Sequence, residues 1–188
     1  MYMYISKLKR SLKIPLSILL LTLIDQYIKI YISNNLMNEN FYIFNDIVEF
    51  VPSFNTSYSW FNSLFNLGVG LLPHIVVNII VLFISILLFD FIRKKQKDDK
   101  IINLLFTLLF AGVICSLIDK IFWGGSLDYI YLKGLFTFDL KDFYLSIFQI
   151  ALISCWLFNY KGFRKTKRIN RNLLSYFRYK VVVIWICR

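Results

Sequence analysis

Residues 101–122 read IINLLFTLLFAGVICSLIDKIF, an apolar segment without a charged side chain before Asp119. At a rise of about 1.5 Å per residue, about 20 helical residues cross the ~30 Å hydrocarbon core of a membrane. Three further stretches share this apolar character, namely 14–32, 71–92 and 142–160. The sequence therefore predicts an all-α membrane protein with four transmembrane helices.

The composition agrees with a membrane protein. The chain has 188 residues, of which 58% are hydrophobic, and its mean hydropathy is +0.61. A soluble domain of this length would carry less apolar surface. The three cysteines do not form the pattern of a disulfide framework. Because His74 is the only histidine and no Cys/His cluster exists in the sequence, we expect no metal and no cofactor.

Positive charge is concentrated in three places. Of the 22 Lys and Arg residues, four lie in 1–13, five in 93–100 and nine in 161–188. Cytoplasmic loops of membrane proteins carry an excess of these residues, so both termini and the loop 93–100 are predicted to be cytoplasmic. We divide the chain into a four-helix domain, 1–160, and a basic cytoplasmic tail attracted to anionic membrane lipid. Because the charge flanks apolar segments, no nucleic-acid partner is expected.

Two segments between the predicted helices then lie outside. Residues 33–70 contain no Lys or Arg, and residues 123–139 contain one. In the first segment, β-forming residues at 41–51 are stopped by Pro52. This pattern predicts a small extracellular β-containing segment between helices 1 and 2.

Carboxylates recur near the outer ends of the predicted helices, where ionisable groups usually mark function. Asp128 and Asp142 could share one proton, so that one acts as base and the other as acid on a single water. That pair suffices to hydrolyse an amide bond without a metal. Asp25 and Lys29 are four residues apart and are predicted to pair on one helix face. A structural role and a direct substrate role for this second pair both remain open.

Five short motifs occur in an order that resembles lipoprotein signal peptidase, the signal peptidase II family. The resemblance covers about residues 10–160. The matching residues are Asp25, Gln26 and Lys29 for D-Q-x-x-K, Asn55 and Trp60 for N-x-G-x-x-F/W, Ser116, Asp119 and Lys120 for G-N-x-x-D-R, Asp128 for V-V-D-F, and Asp139 and Asp142 for F-N-x-A-D.

The resemblance implies an intramembrane aspartic peptidase with Asp128 and Asp142 as its catalytic pair. The implied substrate is a prolipoprotein whose cysteine bears a diacylglyceryl group, and cleavage falls just before that cysteine. The implied location is the bacterial cytoplasmic membrane, with the site near its outer face, and a monomer is expected. Residues expected to bind substrate or support the pair are Asp25, Lys29, Asn55, Ser116, Asp119, Lys120 and Asp139.

The chain departs from the family motifs next to these residues. Ser116 replaces an Asn and Lys120 replaces an Arg, while Asp139 and Lys141 replace an Asn and an Ala. An extra carboxylate beside Asp142 adds repulsion, which Lys141 would offset. The main alternative to an active peptidase is therefore a catalytically impaired relative that binds lipidated peptides. A third interpretation, from another class, is a small polytopic transporter or assembly factor.

Overall fold

The structure is a computed structural model, which describes residues 2–45, 47–95, 99–158 and 160. The predicted basic tail lies outside the described residues. In chain order the elements are α1 (Tyr2–Asn35), β1 (Phe41–Phe44), β2 (Val48–Asn55), α2 (Trp60–Leu64), α3 (Leu71–Lys95), α4 (Lys100–Ile118), a π-helical turn (Asp119–Trp123), β3 (Ser126–Leu132), β4 (Phe136–Phe138) and α5 (Leu140–Leu157).

Within the described residues, four helices are long and apolar enough to cross a membrane: α1, α3, α4 and α5. The predicted number of helices is confirmed, but several helices begin or end at other residues than predicted. α1 extends beyond 14–32 at both ends, and α5 begins at Leu140 rather than at Asp142. The earlier start places Asp142 inside the first turn of α5, where its backbone geometry is fixed by the helix.

The central helix of the domain is α4, which packs against α1, α3 and α5. Gly112 brings α4 close to α5, because a Cβ at this position would lie 2.7 Å from the Leu145 side chain and 3.3 Å from the Lys141 carbonyl oxygen. The buried apolar core on α4 consists of Ile102, Phe106, Leu109, Phe110 and Val113. On α3 and α5, large apolar side chains such as Leu72 and Ile153 point outward, as expected of helices surrounded by lipid.

The four strands form one antiparallel sheet in the order β1-β2-β3-β4. The predicted β-containing segment between the first two long helices is present, but the prediction was incomplete, because β3 and β4 follow α4 in sequence. Side chains alternate across β3. Leu127 and Tyr129 are buried in a cluster with Ile32 of α1 and Phe50 of β2, which leaves Ser126 and Asp128 on the opposite face.

A π-helical turn changes the direction of side chains at the end of α4. The α-helix ends at Ile118, not near residue 122. The π-helical turn ends at Trp123 and is capped by Gly124, whose φ of 64° is left-handed. Such turns often occur at functional sites. Here the turn directs Asp119 to α1, where it contacts Gln26 and Lys29.

Candidate active site

Lys29 lies at the centre of a buried ion cluster. Its Nζ is 3.0 Å from Oδ2 of Asp25, 2.6 Å from Oδ2 of Asp119 and 2.7 Å from Oδ2 of Asp139. All four side chains are at most 1% exposed. Charges buried to this degree are tolerated only when they are paired. The predicted pairing of Asp25 with Lys29 is confirmed, and the cluster joins α1, the π-helical turn and the start of α5.

Asp25 also connects α1 to the backbone of α5. Its Oδ1 accepts a hydrogen bond from the backbone N–H of Lys141 at 3.1 Å. Gln26 extends the connection, since its Nε2 is 3.0 Å from both Asp25 and Asp119, and its Oε1 accepts from Trp123 Nε1 at 3.1 Å. The first-helix motif therefore connects the π-helical turn, which precedes β3, to the start of α5, which follows β4.

Asp139 and Asp142 form a capping box at the start of α5. Oδ1 of Asp139 accepts from the backbone N–H of Asp142 at 3.1 Å, and Oδ2 of Asp142 accepts from the backbone N–H of Asp139 at 3.4 Å. A capping box satisfies donors that a helix start leaves unpaired, and a negative charge there is favoured by the helix dipole. The side chain of Asp142 remains 41% exposed and can meet a substrate.

Asp128 is held by the sheet. Its Oδ1 lies 2.8 Å from Ser126 Oγ, and its Oδ2 accepts from Asn55 Nδ2 at 3.0 Å. Asn55 on β2 is paired directly with Ser126 on β3, so the strand register fixes this contact. Burial raises the pKa of the Asp128 carboxyl above its ordinary value, although the ammonium group of Lys141 acts in the opposite direction.

Three carboxylates and one ammonium group meet at the start of α5. One oxygen each of Asp128, Asp139 and Asp142 lies within 4.8 Å of the others. Nζ of Lys141 contacts Asp139 and lies 3.8 Å from Asp128 Oδ1 and 4.0 Å from Asp142 Oδ1. The spacing of the oxygens would suit a divalent cation, but the ammonium group already supplies positive charge there. Our expectation that no metal is needed stays a prediction.

Two ammonium groups favour the ionised form of the Asp139 carboxyl. Burial raises the pKa of its carboxyl, but the ammonium groups of Lys141 and Lys29 outweigh that effect and lower the pKa to about 2. Asp139 is therefore ionised at neutral pH and cannot serve as a proton donor there.

A cavity of about 1350 Å³ opens in front of this cluster. It divides the predicted site residues into two layers. Those that line the cavity are Asn55, Ser116, Lys120, Asp128 and Asp142. Behind them lie Asp25, Lys29, Asp119 and Asp139, which are at most 1% exposed. Apolar side chains, among them Phe61, Val77 and Leu145, line the rest of the cavity, so it can accept both polar and apolar parts of a ligand.

A second polar group lies on the cavity wall, where α3 meets α4. Lys120 Nζ is 2.7 Å from Ser116 Oγ, which also accepts from Asn78 Nδ2 at 3.0 Å. The predicted residues Ser116 and Lys120 are thus brought together. They contact one another rather than the carboxylates that surround Lys29.

Three polar residues of the site were not predicted to belong to it. Ser126 shares a strand face with Asp128, and the two-residue spacing was an available signal. The sequence predicts that Lys141 offsets the charge of the extra carboxylate beside Asp142, but not that it belongs to the site; in the structure its Nζ is 2.6 Å from Ser126 Oγ and 3.2 Å from Asp119 Oδ2. Asn78 is a polar residue inside an apolar helix, which is itself a signal for function.

Known proteins resemble this chain along most of its length. The chain matches the family model described as Signal peptidase (SPase) II over residues 17–158. It is 27% identical to the lipoprotein signal peptidase of Fusobacterium nucleatum subsp. nucleatum over 158 residues, which cover 80% of this chain and 87% of that protein. It is 32% identical to the lipoprotein signal peptidase of Wigglesworthia glossinidia brevipalpis over 120 residues, or 63% of this chain and 74% of that protein.

Two solved structures share the fold. Both are described as bacterial membrane enzymes determined by the in meso method, at 2.3 Å and 1.9 Å resolution. Each is 21% identical to this chain, with TM-scores of 0.61 and 0.63, and the matches cover 78% and 77% of this chain and 88% and 92% of the other. Because the family match runs from α1 to the end of α5, the chain belongs to the signal peptidase II family.

Proposed function

We propose that this chain is an aspartic endopeptidase that removes the signal peptide from diacylglyceryl-modified prolipoproteins, with Asp128 and Asp142 as its catalytic pair. Membership of the signal peptidase II family supports lipoprotein signal peptide processing. The observation that carries the assignment of the pair is their convergence on one cavity, with oxygens within 4.8 Å of each other. A water that hydrogen-bonds both carboxylates at about 2.8 Å fits this spacing.

The pair can perform the hydrolysis without a nucleophilic side chain. The ionised carboxylate removes a proton from the water as the water oxygen attacks the scissile carbonyl carbon. The protonated carboxyl donates a hydrogen bond to the oxyanion that develops. A proton then passes to the leaving amine as the C–N bond breaks, so the two carboxyls exchange roles within one turnover.

The surrounding residues divide into those that face the substrate and those that hold the pair. Asn55, Ser116 and Lys120 line the cavity and can hydrogen-bond an extended peptide. Asp25, Lys29, Asp119 and Asp139 lie behind it, and we assign them the support of the pair. Their ion pairs fix the start of α5 and the π-helical turn against α1.

We place the site near the outer face of the bacterial cytoplasmic membrane, with both termini in the cytoplasm. The three clusters of Lys and Arg support this orientation. A lipid-anchored substrate lies at the membrane surface, so a cavity at the ends of the helices can receive it without extracting it from the bilayer. We expect the chain to act as a monomer.

Cleavage by the purified full chain tests this function. We expect a diacylglyceryl-modified prolipoprotein to be cut immediately before its lipidated cysteine, with the products identified by mass spectrometry. The matched control is the same prolipoprotein with that cysteine changed to serine, which cannot be lipidated and should stay intact. Chelators should not reduce the rate. Binding of the lipidated substrate without cleavage would instead support the catalytically impaired alternative.

A further inference from the structure

Lys141 places a positive charge at the position where the motif F-N-x-A-D has alanine. It occupies the second residue of α5, between the capping residues Asp139 and Asp142. The side chain is only 6% exposed, yet its ammonium group lies within 4.0 Å of both Asp128 and Asp142. The substitution of Asn by Asp139 in the same motif adds a carboxylate that contacts this ammonium group. The two departures therefore compensate each other in charge.

The charge around the pair shows why this ammonium group matters. α1 contributes Asp25 and Lys29, and the π-helical turn contributes Asp119 and Lys120. β3 contributes Asp128, and the start of α5 contributes Asp139, Lys141 and Asp142. Five carboxylates thus face three ammonium groups. Lys29 contacts Asp25, Asp119 and Asp139, and Lys120 contacts Ser116. Among the described residues, the ammonium group within 4.0 Å of both members of the pair is that of Lys141.

We propose that Lys141 is a positioning residue for the reaction, whose ammonium group sets the pH range in which the Asp128–Asp142 pair holds a single proton. Asp139 is the counter-charge that keeps this ammonium group in place. The inference rests on the proposed function for the identity of the pair. A positive charge a few ångströms from a carboxyl favours the ionised form and lowers the pH at which the proton is lost. Without Lys141 the pair would release its proton only at a higher pH.

The test uses charge changes that preserve side-chain size. Lys141→Met removes the ammonium group, Asp139→Asn removes its counter-charge, and the double variant removes both. Lys133→Met is the matched control, because Lys133 is 53% exposed and pairs only loosely with Glu49, at 3.9 Å. Two quantities are measured in lipid bilayers: the pH profile of prolipoprotein cleavage, and the infrared titration of the protonated carboxyl band that Asp128→Asn and Asp142→Asn remove.

We expect Lys141→Met to move both midpoints to higher pH by about 1 to 3 units, and Asp139→Asn to move them to lower pH. The midpoints of the double variant should lie between those of the two single variants, and the midpoints of Lys133→Met should equal those of the wild type. Unchanged midpoints in Lys141→Met would overturn the role of Lys141 while leaving the peptidase function intact. If the wild type did not cleave, the proposed function would fail, and the infrared titration would still decide the role of Lys141.

Folding is checked by thermal unfolding of each variant. Lys141→Met leaves Asp139 with less neutralising charge and is the variant most at risk of misfolding. In that case the comparison of Asp139→Asn with the double variant isolates the same ammonium group, since neither variant carries the Asp139 charge. Equal infrared midpoints in these two variants would refute the proposal.

Discussion

The backbone N–H of Lys141 donates a hydrogen bond to Oδ1 of Asp25, 116 positions earlier in the sequence, at 3.1 Å. A side chain of α1 thus satisfies a donor at the start of α5, the helix that carries Asp142.

We expect Asp25→Asn to lower the unfolding temperature or substrate affinity more than it slows the chemical step, because Asp25 holds the site without lining the cavity. Single-turnover cleavage at saturating enzyme separates these quantities. Loss of the chemical step in a folded variant that still binds substrate would contradict this role.

Asparagine at either position of the proposed catalytic pair should remove proton transfer while substrate binding is retained. Asn is nearly isosteric with Asp and can still hydrogen-bond, so Asp128→Asn and Asp142→Asn should each reduce cleavage by about 10²–10⁴-fold or more, while substrate binding is retained. Asp90→Asn is the control, for which we expect normal cleavage. Asp90 lies near the C-terminal end of α3, and its side chain is 40% exposed. If Asp119→Asn matched the loss without destabilising the fold, the pair would have to be reassigned to Asp119 and Asp142.

Lys29 should be a major determinant of stability. Lys29→Met leaves three buried carboxylates without the ammonium group that contacts them all. Removing one partner of a buried ion pair costs about 3–5 kcal/mol, which we expect as a large fall in unfolding temperature in detergent. Lys133→Met removes an exposed lysine at the sheet and should change stability by about 1 kcal/mol at most. Similar unfolding temperatures for the two variants would show that the cluster is not structural.

The stability of the fold should depend on pH through Asp139. Its pKa is lowered to about 2 in the folded chain, whereas an unfolded aspartate has a pKa of about 3.9. The unfolded chain therefore binds the proton first as pH falls, and the stabilisation is present above pH ~4 and lost towards pH ~2. The unfolding temperature, measured from pH 7 to pH 2, should therefore decrease between pH ~4 and pH ~2. The fall should be smaller in Asp139→Asn, which lacks the titrating group, and an equal fall would exclude Asp139 as its cause.

The orientation in the membrane can be tested independently of activity. We expect single cysteines placed at Asn40 and Gly134, in a background without the native cysteines, to react with a membrane-impermeant thiol reagent added from outside. A cysteine at Lys95, in the basic segment 93–100, is the control and should react only after the membrane is permeabilised. Labelling of positions 40 and 134 only from the cytoplasmic side would reverse the orientation.

The four long helices could be predicted because apolar length is a local property of the sequence. The sheet could be predicted only in part. β1 and β2 are neighbours in sequence, whereas β2 pairs with β3, so that Asn55 lies opposite Ser126. Nothing local to either strand specifies that register across the three intervening helices, α2, α3 and α4. The contact between Asn55 and Asp128 was therefore not visible in the sequence.

Most residues of the candidate site could be named from the sequence, but Ser126, Lys141 and Asn78 were missed and the arrangement could not be predicted. The motif spacing pointed to the two aspartates and to the residues that the structure places around them. It did not indicate that Asp119 would turn towards α1. The motif spacing is consistent with a continuous α-helix, whereas the π-helical turn adds one residue and changes the direction of the side chain. It also did not indicate where Lys141 would point, since a lysine at the start of a helix usually extends into solvent.

The pairing of charges within each segment bears on how the chain enters the membrane during synthesis. Asp25 and Lys29 are one helical turn apart and already paired within α1. Asp119 is followed directly by Lys120, and Lys141 lies between Asp139 and Asp142. Inserting a lone charge at a helix centre costs about 2.5–3.5 kcal/mol on translocon scales. Because each segment brings its own counter-charge, the translocon can accept the helices one after another, before the complete cluster exists.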